Sequence, residues 1–255
     1  MKLSRIITFA NNKGGVGKTT TVSAVGSILA RRGYDVLVVD LDGSANLTRC
    51  FTKQVPSLTL YESLTSEQSL PVINITEHLD LVPASKNLYG IELALSQEVS
   101  RESIFSEKLE EVKSNYDFIL LDCPPHIGLL LISAFTASQD VIIVLEPEVL
   151  PIEGLVMLRK YIEMVQRRLN HDVSLTGILI TLYQKIKLHK TCVNMLENAF
   201  GDVLFNTKIR KNCSLSEAIL EHKSIKDYAP TSNGAVDYEA FTEELLERLK
   251  NQTNK

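Results

Sequence analysis

"NNKGGVGKTTT", Asn11–Thr21, follows the apolar run "RIITFA" (Arg5–Ala10) and leads into a segment with helical periodicity. Its end, Gly17-Lys18-Thr19, matches the close of the phosphate-binding pattern G-x-x-x-x-G-K-[ST]. Two residues depart from that pattern. Asn12 stands where it has glycine, and a second lysine, Lys13, precedes the expected Lys18. A strand before the loop and a helix after it are the context such a site requires. Gly14, Gly15 and Gly17 let the backbone turn tightly and aim N–H groups at phosphate oxygens, with Val16 between them. The positive end of the following helix adds to that field. Lys18 is expected to reach the β- and γ-phosphates, Thr19 to offer its hydroxyl to Mg²⁺, and Thr20 to complete the cradle.

Outward from this stretch, apolar runs of strand length alternate with segments of helical period. Arg5–Ala10, Asp35–Asp40, Leu79–Pro83, Asp117–Asp122, Asp140–Glu146 and Ser174–Thr181 read as buried strands rich in Val, Ile and Leu. Thr19–Arg32 places Val22, Val25, Ile28 and Leu29 on one face and stops at Gly33, a favourable residue just past a helix end. Ser103–Asn115, Glu153–Leu169 and His189–Phe200 read as further helices. The alternation predicts an α/β fold, a doubly wound and mostly parallel sheet with helices on both faces, and a ligand at the carboxyl ends of its strands. No repeat or Pro/Gly linker divides the chain, so residues 1–255 are expected to form one domain. Gly43–Leu58 is the least regular part, and it leaves a strand end where a nucleotide would sit.

Composition narrows the function classes. Across 255 residues, 27 Lys/Arg against 31 Asp/Glu give a net charge of −4, so any nucleic-acid surface must be local. Cys50, Cys123, Cys192 and Cys213 lack metal or disulfide-framework spacing and are expected to be reduced. The first residues hold too short an apolar run for a signal peptide, and no segment approaches about 18 apolar residues. A soluble, cytoplasmic protein is expected.

Mg²⁺ takes oxygen ligands, so a carboxylate is expected at a neighbouring strand end. Asp122, closing "YDFILLD", has that position. Asp40 and Asp42 in "VVDLDG" fall on one side under period-two alternation, so both are expected to face the cleft. Asp42, on the loop side, is the candidate to orient attacking water.

"KGGVGKTT" with both lysines, "VVDLDGSANLT", "YDFILLDCPPHIGLLLISA", "EPEVLPIEGL" and "TKIRKNCSLSEA" together resemble the ParA-type, deviant Walker A group of P-loop NTPases, relatives of MinD and the nitrogenase iron protein. The likeness runs from about Arg5 to about Tyr238. It implies an ATP-dependent homodimer that binds double-stranded DNA non-specifically on the nucleoid and segregates a plasmid, chromosome or mobile element. It implies slow hydrolysis stimulated by a ParB-type centromere-binding partner. Residue by residue, Lys13 matches the lysine that crosses to the partner's phosphates, Lys18 the loop lysine, and Thr19 the Mg²⁺-binding hydroxyl. Asp42 matches the water-positioning aspartate near the metal, and Asp122 the Walker B acid. Lys211 and Asn212 match residues near the adenine.

The chain departs from the family at Gly43-Ser44, where Pro-Gln is usual, and at Arg210, where proline is usual. Serine is too short to replace the glutamine amide, and Gly43 is expected to loosen the loop, so slow hydrolysis is anticipated. Between Tyr183 and Lys226, eight Lys/Arg face four Asp/Glu, a local excess suited to phosphate contacts. Lys185, Lys187, Lys190, Arg210 and Lys223 are the DNA-binding candidates.

Rival readings are a MinD-like membrane ATPase, a slow ATP- and DNA-binding regulator, and a metabolic enzyme of the same fold. The last helical segment opposes the first rival. Its apolar residues, Tyr238, Phe241, Leu245, Leu246 and Leu249, are set against a glutamate-rich polar face that anionic lipid repels.

Overall fold

A computed structural model describes residues 4–148 and 151–253. Within the quoted "EPEVLPIEGL", Val149 and Leu150 lie outside the described residues. The first half of the chain runs β1 (Arg5–Ala10), α1 (Lys18–Arg31), β2 (Val36–Asp40), α2 (Asn46–Phe51), α3 (Leu60–Leu64), β3 (Ile73–Thr76), β4 (Leu79–Val82), α4 (Ile91–Ala94) and α5 (Ile104–Glu110). It continues β5 (Phe118–Asp122), α6 (Leu129–Ala137), β6 (Asp140–Leu145), α7 (Pro151–Arg168), β7 (Ser174–Tyr183) and α8 (Lys187–Phe200). The last elements are β8 (Leu204–Arg210), α9 (Cys213–Leu220), α10 (Ile225–Tyr228) and α11 (Asn233–Thr253).

Among the described residues the strands form one eight-stranded sheet in the order β3-β4-β2-β5-β1-β6-β7-β8, and only the β3–β4 pair is antiparallel. Alternation within each strand feeds two cores. Ile6, Leu37, Val39, Ile119 and Leu121 point to the face covered by α5, α6 and α7, while Ile7, Phe9, Val36, Val38 and Leu120 point to that covered by α1 and α11. This is the expected doubly wound sheet with both faces buried.

α1 ends as its sequence signals. Gly33 has φ 83°, its N–H bonds Ala30 O, and Tyr34 N–H bonds Leu29 O, closing the last turn with a left-handed residue. α11 lays Tyr238, Phe241 and Leu245, all at most 1% exposed, on the sheet. Each such side chain contributes about 1.5–3 kcal/mol of burial, which leaves this face no part in membrane contact. Among the described residues no helix is long and apolar enough to cross a membrane.

Several segments differ from expectation. The irregular Gly43–Leu58 stretch contains α2, and the long helix expected at Ser103–Asn115 is α5 followed by a separate tighter turn at Lys113–Asn115. β3 has no buried residue, and β8 is exposed or half-buried at Asn206, Thr207, Lys208 and Arg210, which hides both from a search for continuous apolar runs.

Candidate nucleotide site

β1 and β5 run side by side with Phe9 opposite Asp122, and Asp40 of β2 lies opposite Asp122 on the other side. The loop after β1 therefore emerges next to both acidic strand ends. Gly15 and Gly17 have φ 77° and 90°, conformations that glycine adopts without a Cβ clash. Gly14 is not so constrained, and a Cβ there would meet only Pro125 at 3.8 Å. α1 starts at Lys18 with no side-chain cap, leaving its first N–H groups for an anion.

Three bonds that the motif does not announce hold the loop. Asn11 Nδ2 donates to Val144 O at 2.6 Å, Lys13 N to Asn11 Oδ1 at 2.9 Å, and Thr181 Oγ1 to Val16 O at 2.6 Å. The adjacent β6 and β7 thus clamp the cradle from one side.

The two lysines diverge. Lys18 is 7% exposed, donates from Nζ to Lys13 O at 3.1 Å, and lines a cleft of about 680 Å³. Burial lowers its pKa, opposed by the charges of Asp122 and Asp42. Lys13 points elsewhere, into a separate pocket of about 210 Å³ shared with Asn12, Glu146 and Glu148. Its side chain is 50% exposed, with Nζ 2.6 Å from Glu148 and 3.8 Å from Glu146. The hydrogen bond to Glu148 raises its pKa.

The cleft is lined by Gly14, Gly15, Gly17, Lys18, Thr19, Thr20, Asp42 and Ser44. Val16 is buried beneath the loop. Asp122 is wholly buried; its Oδ2 accepts from Thr19 Oγ1 at 2.7 Å, and its Oδ1 has no partner among the described residues. Burial, then the nearby Asp40 charge, push its carboxyl well above the usual range, against the pull of Thr19 and Lys18. A buried oxygen left unbonded beside a hydroxyl fits a divalent cation with oxygen ligands, so Thr19 and Asp122 would hold Mg²⁺. Bound there, the ion supplies positive charge to the phosphate oxygens.

Asp40 does not face the cleft, contrary to the alternation argument. β2 ends at Asp40, so strand geometry stops before Asp42. Asp40 turns inward, accepting from Thr48 N at 2.8 Å, Thr48 Oγ1 at 2.7 Å and Asp42 N at 3.1 Å. Burial raises its pKa to about 6 despite these bonds. Asp42 remains half-buried on the cleft, its Oδ1 accepting from Ser44 N at 2.8 Å. A carboxylate has further lone pairs to offer a water.

Gly43 does not loosen the loop either. It is buried, and a Cβ there would lie 3.0 Å from the Tyr89 ring, so the glycine admits a close aromatic cover. Tyr89, His126, Arg49, Ile219, Leu220 and His222 line the cleft, and sequence reading missed all six. Of these only His126 falls within a quoted motif, and the fold brings the six from four separate regions of the chain.

Lys211 and Asn212 do not line this cleft; Asn212 instead caps α9 by accepting from Ser214 N. Of the DNA candidates, Lys185, Lys187, Lys190 and Lys223 are exposed. Arg210 is not a free cation. Its Nε and Nη2 grip the Asp237 carboxylate, with Nη2 to Oδ1 at 2.6 Å, tying β8 to α11.

A family model described as an AAA domain matches residues 4–175. The sporulation initiation inhibitor protein Soj of Bacillus subtilis (strain 168) is 38% identical, over 95% of this chain and 98% of its own. The chromosome-partitioning ATPase Soj of Treponema pallidum (strain Nichols) is 36% identical over 96% and 98%. The chain belongs to the ParA family of partitioning ATPases. A ParA-family member is thus expected to share its fold with nucleotide-bound structures. One such structure, the cobyrinic acid a,c-diamide synthase of Mycobacterium smegmatis with bound ATP analog and magnesium, superposes with TM-score 0.87 at 28% identity, covering 97% of this chain and 96% of that one.

Proposed function

We propose that this ParA-family chain is a cytoplasmic ATP-driven dimeric switch, one domain over residues 1–255, that partitions a plasmid, chromosome or mobile element by binding DNA without sequence preference. The observation that carries the reading is the divergence of Lys13 and Lys18. One loop needs one lysine for its own triphosphate, and Lys18 occupies that place. Among the described residues Lys13 is held by the carboxylates of Glu148 and Glu146, an exposed pairing worth about 0–1 kcal/mol, so a partner subunit's phosphates can claim it readily. A γ-phosphate adds charge for Lys13 to meet, so ATP favours the dimer and ADP does not.

Within each site the loop N–H groups and Lys18 bind the phosphates, and Thr19 and Asp122 form the Mg²⁺ shell. Asp42 orients a water in line with the γ-phosphorus. The water oxygen bonds phosphorus, the β–γ bridging P–O bond breaks to leave ADP and phosphate, and a proton passes to solvent. Ser44 gives no amide to steady that water, so turnover is slow and rises with DNA or a ParB-type partner.

Exposed Lys185, Lys187, Lys190 and Lys223 supply a phosphate-backbone surface, and its affinity should fall steeply with salt. The test is retention on random-sequence duplex DNA with ATP and Mg²⁺ against ADP and Mg²⁺. Retention with ATP alone is expected; equal retention with both would sink the switch.

A further inference from the structure

The turn after α9 contains a residue that its conformation disfavours. His222 has φ 51°, and the turn is the glycine type: His222 N–H bonds Ile219 O at 3.1 Å and Lys223 N–H bonds Ala218 O at 3.0 Å. Glycine holds this position at no steric cost, whereas a histidine Cβ is crowded there. A strained residue that persists invites the question of what its side chain does.

The imidazole reaches a segment 173 residues away. His222 Nδ1 lies 2.7 Å from Arg49 O, near the end of α2, and must carry a proton to donate to that carbonyl. Arg49 Nη1 in turn donates to Ser44 O at 2.8 Å. Ser44 N donates to Asp42 Oδ1 at 2.8 Å. Three successive contacts therefore run from the strained turn to the carboxylate on the cleft. Ala45, next in this loop, has φ 54°, so the segment is itself held in a conformation that needs support.

We propose that His222 is a positioning residue for ATP hydrolysis, acting through Arg49 and Ser44 to hold the Asp42 carboxylate in its working orientation. This rests on Asp42 being the residue that orients the attacking water. His222 lines the cleft, yet its role is with the loop and not with the nucleotide. From this left-handed turn the imidazole spans from α9 to α2.

The experiment measures phosphate release from ATP and Mg²⁺ by the full chain. His222→Gly keeps the turn and removes the imidazole, so its melting temperature should equal or exceed the parent's. Its kcat should fall about tenfold, because small misplacements of a positioned group cost that order of rate, with KM unchanged within about twofold. Asparagine tolerates the left-handed region and its Nδ2 sits where the imidazole Nδ1 does, so His222→Asn should recover most of the lost kcat. Arg49→Gln should reproduce the loss, and the double variant His222→Gly/Arg49→Gln should be no worse than either single, as expected for two links of one chain. Parental kcat in His222→Gly, a change in KM alone, or additive losses in the double variant would each overturn the proposal. Asp42→Ala is the control on its premise. If that variant still turns over ATP, the reading of Asp42 is wrong; if it is dead while His222→Gly is normal, only the link through His222 is wrong.

Discussion

Thr19 Oγ1 donates to Asp122 Oδ2 at 2.7 Å, joining the first turn of α1 to the end of β5 across 103 residues of sequence. This bond satisfies one carboxylate oxygen and leaves the other, wholly buried, without a partner among the described residues. Asp122→Asn keeps the side chain's shape and removes its carboxylate, so the melting temperature without nucleotide should stay near the parent's. The same variant should lose most of the thermal protection given by ATP with Mg²⁺. Scanning calorimetry with and without the nucleotide reads both effects, and undiminished protection would remove Asp122 from the metal shell.

The divergence of the loop lysines separates two phenotypes. Lys18→Ala should abolish ATP binding by the monomer. Lys13→Ala should spare that binding and reduce the ATP-dependent dimer, read by fluorescent-nucleotide titration and by sedimentation. Equal damage to binding and dimerisation by Lys13→Ala would contradict the cross-subunit role.

Gly43 and Tyr89 should be coupled. A methyl at position 43 would press on the ring at 3.0 Å, although the ring is 65% exposed and can swing outward. Gly43→Ala should lower kcat in the parent and have little effect in a Tyr89→Ala background. A double-mutant cycle on stability should give a coupling of at least about 0.5 kcal/mol, and additivity would show that Tyr89 does not press on the loop.

The basic residues divide by what they touch. Replacing Lys185 and Lys190 together with Glu should weaken DNA retention and leave the melting temperature near the parent's. Arg210→Ala should instead lower the melting temperature, because Asp237, 8% exposed, loses the guanidinium that grips it. DNA retention that survives the lysine reversal would place the DNA surface elsewhere.

Glu244 carries a pH signature. Burial raises its pKa, but backbone N–H groups of Asn206, at 2.7 Å, and Thr207, at 2.9 Å, outweigh that and lower it overall. A depressed carboxylate stabilises the fold above its unfolded pKa, and that contribution is lost as pH falls through the folded value. Glu244→Gln should cost about 1–2 kcal/mol at pH 7, and the difference should shrink as the pH drops below the unfolded value of 4.5. Denaturation curves at both ends of that range check the sign.

Local features of the sequence already determined the sheet strands with continuous Val/Ile/Leu, the glycine loop, the stop of α1 at Gly33 and the place of Asp122 at a strand end. Each depends on neighbours within a few residues: alternation, loop torsions or a helix cap. Tertiary structure alone decided the rest. Period-two alternation put Asp40 and Asp42 together, but the strand ends at Asp40, and Thr48, eight residues on, draws Asp40 into the interior. Gly43 reads as a flexible residue in the sequence, but the fold packs the Tyr89 ring against it. Arg210 looked like a free cation until α11 brought Asp237 to it. His222 belonged to no motif, and its meaning comes from Arg49, a contact that only the packing of α2 on α9 creates. Torsional and periodic preferences are written in adjacent residues; which polar group meets which is set by the folded neighbours, and that pairing decides the chemistry of each carboxylate and cation.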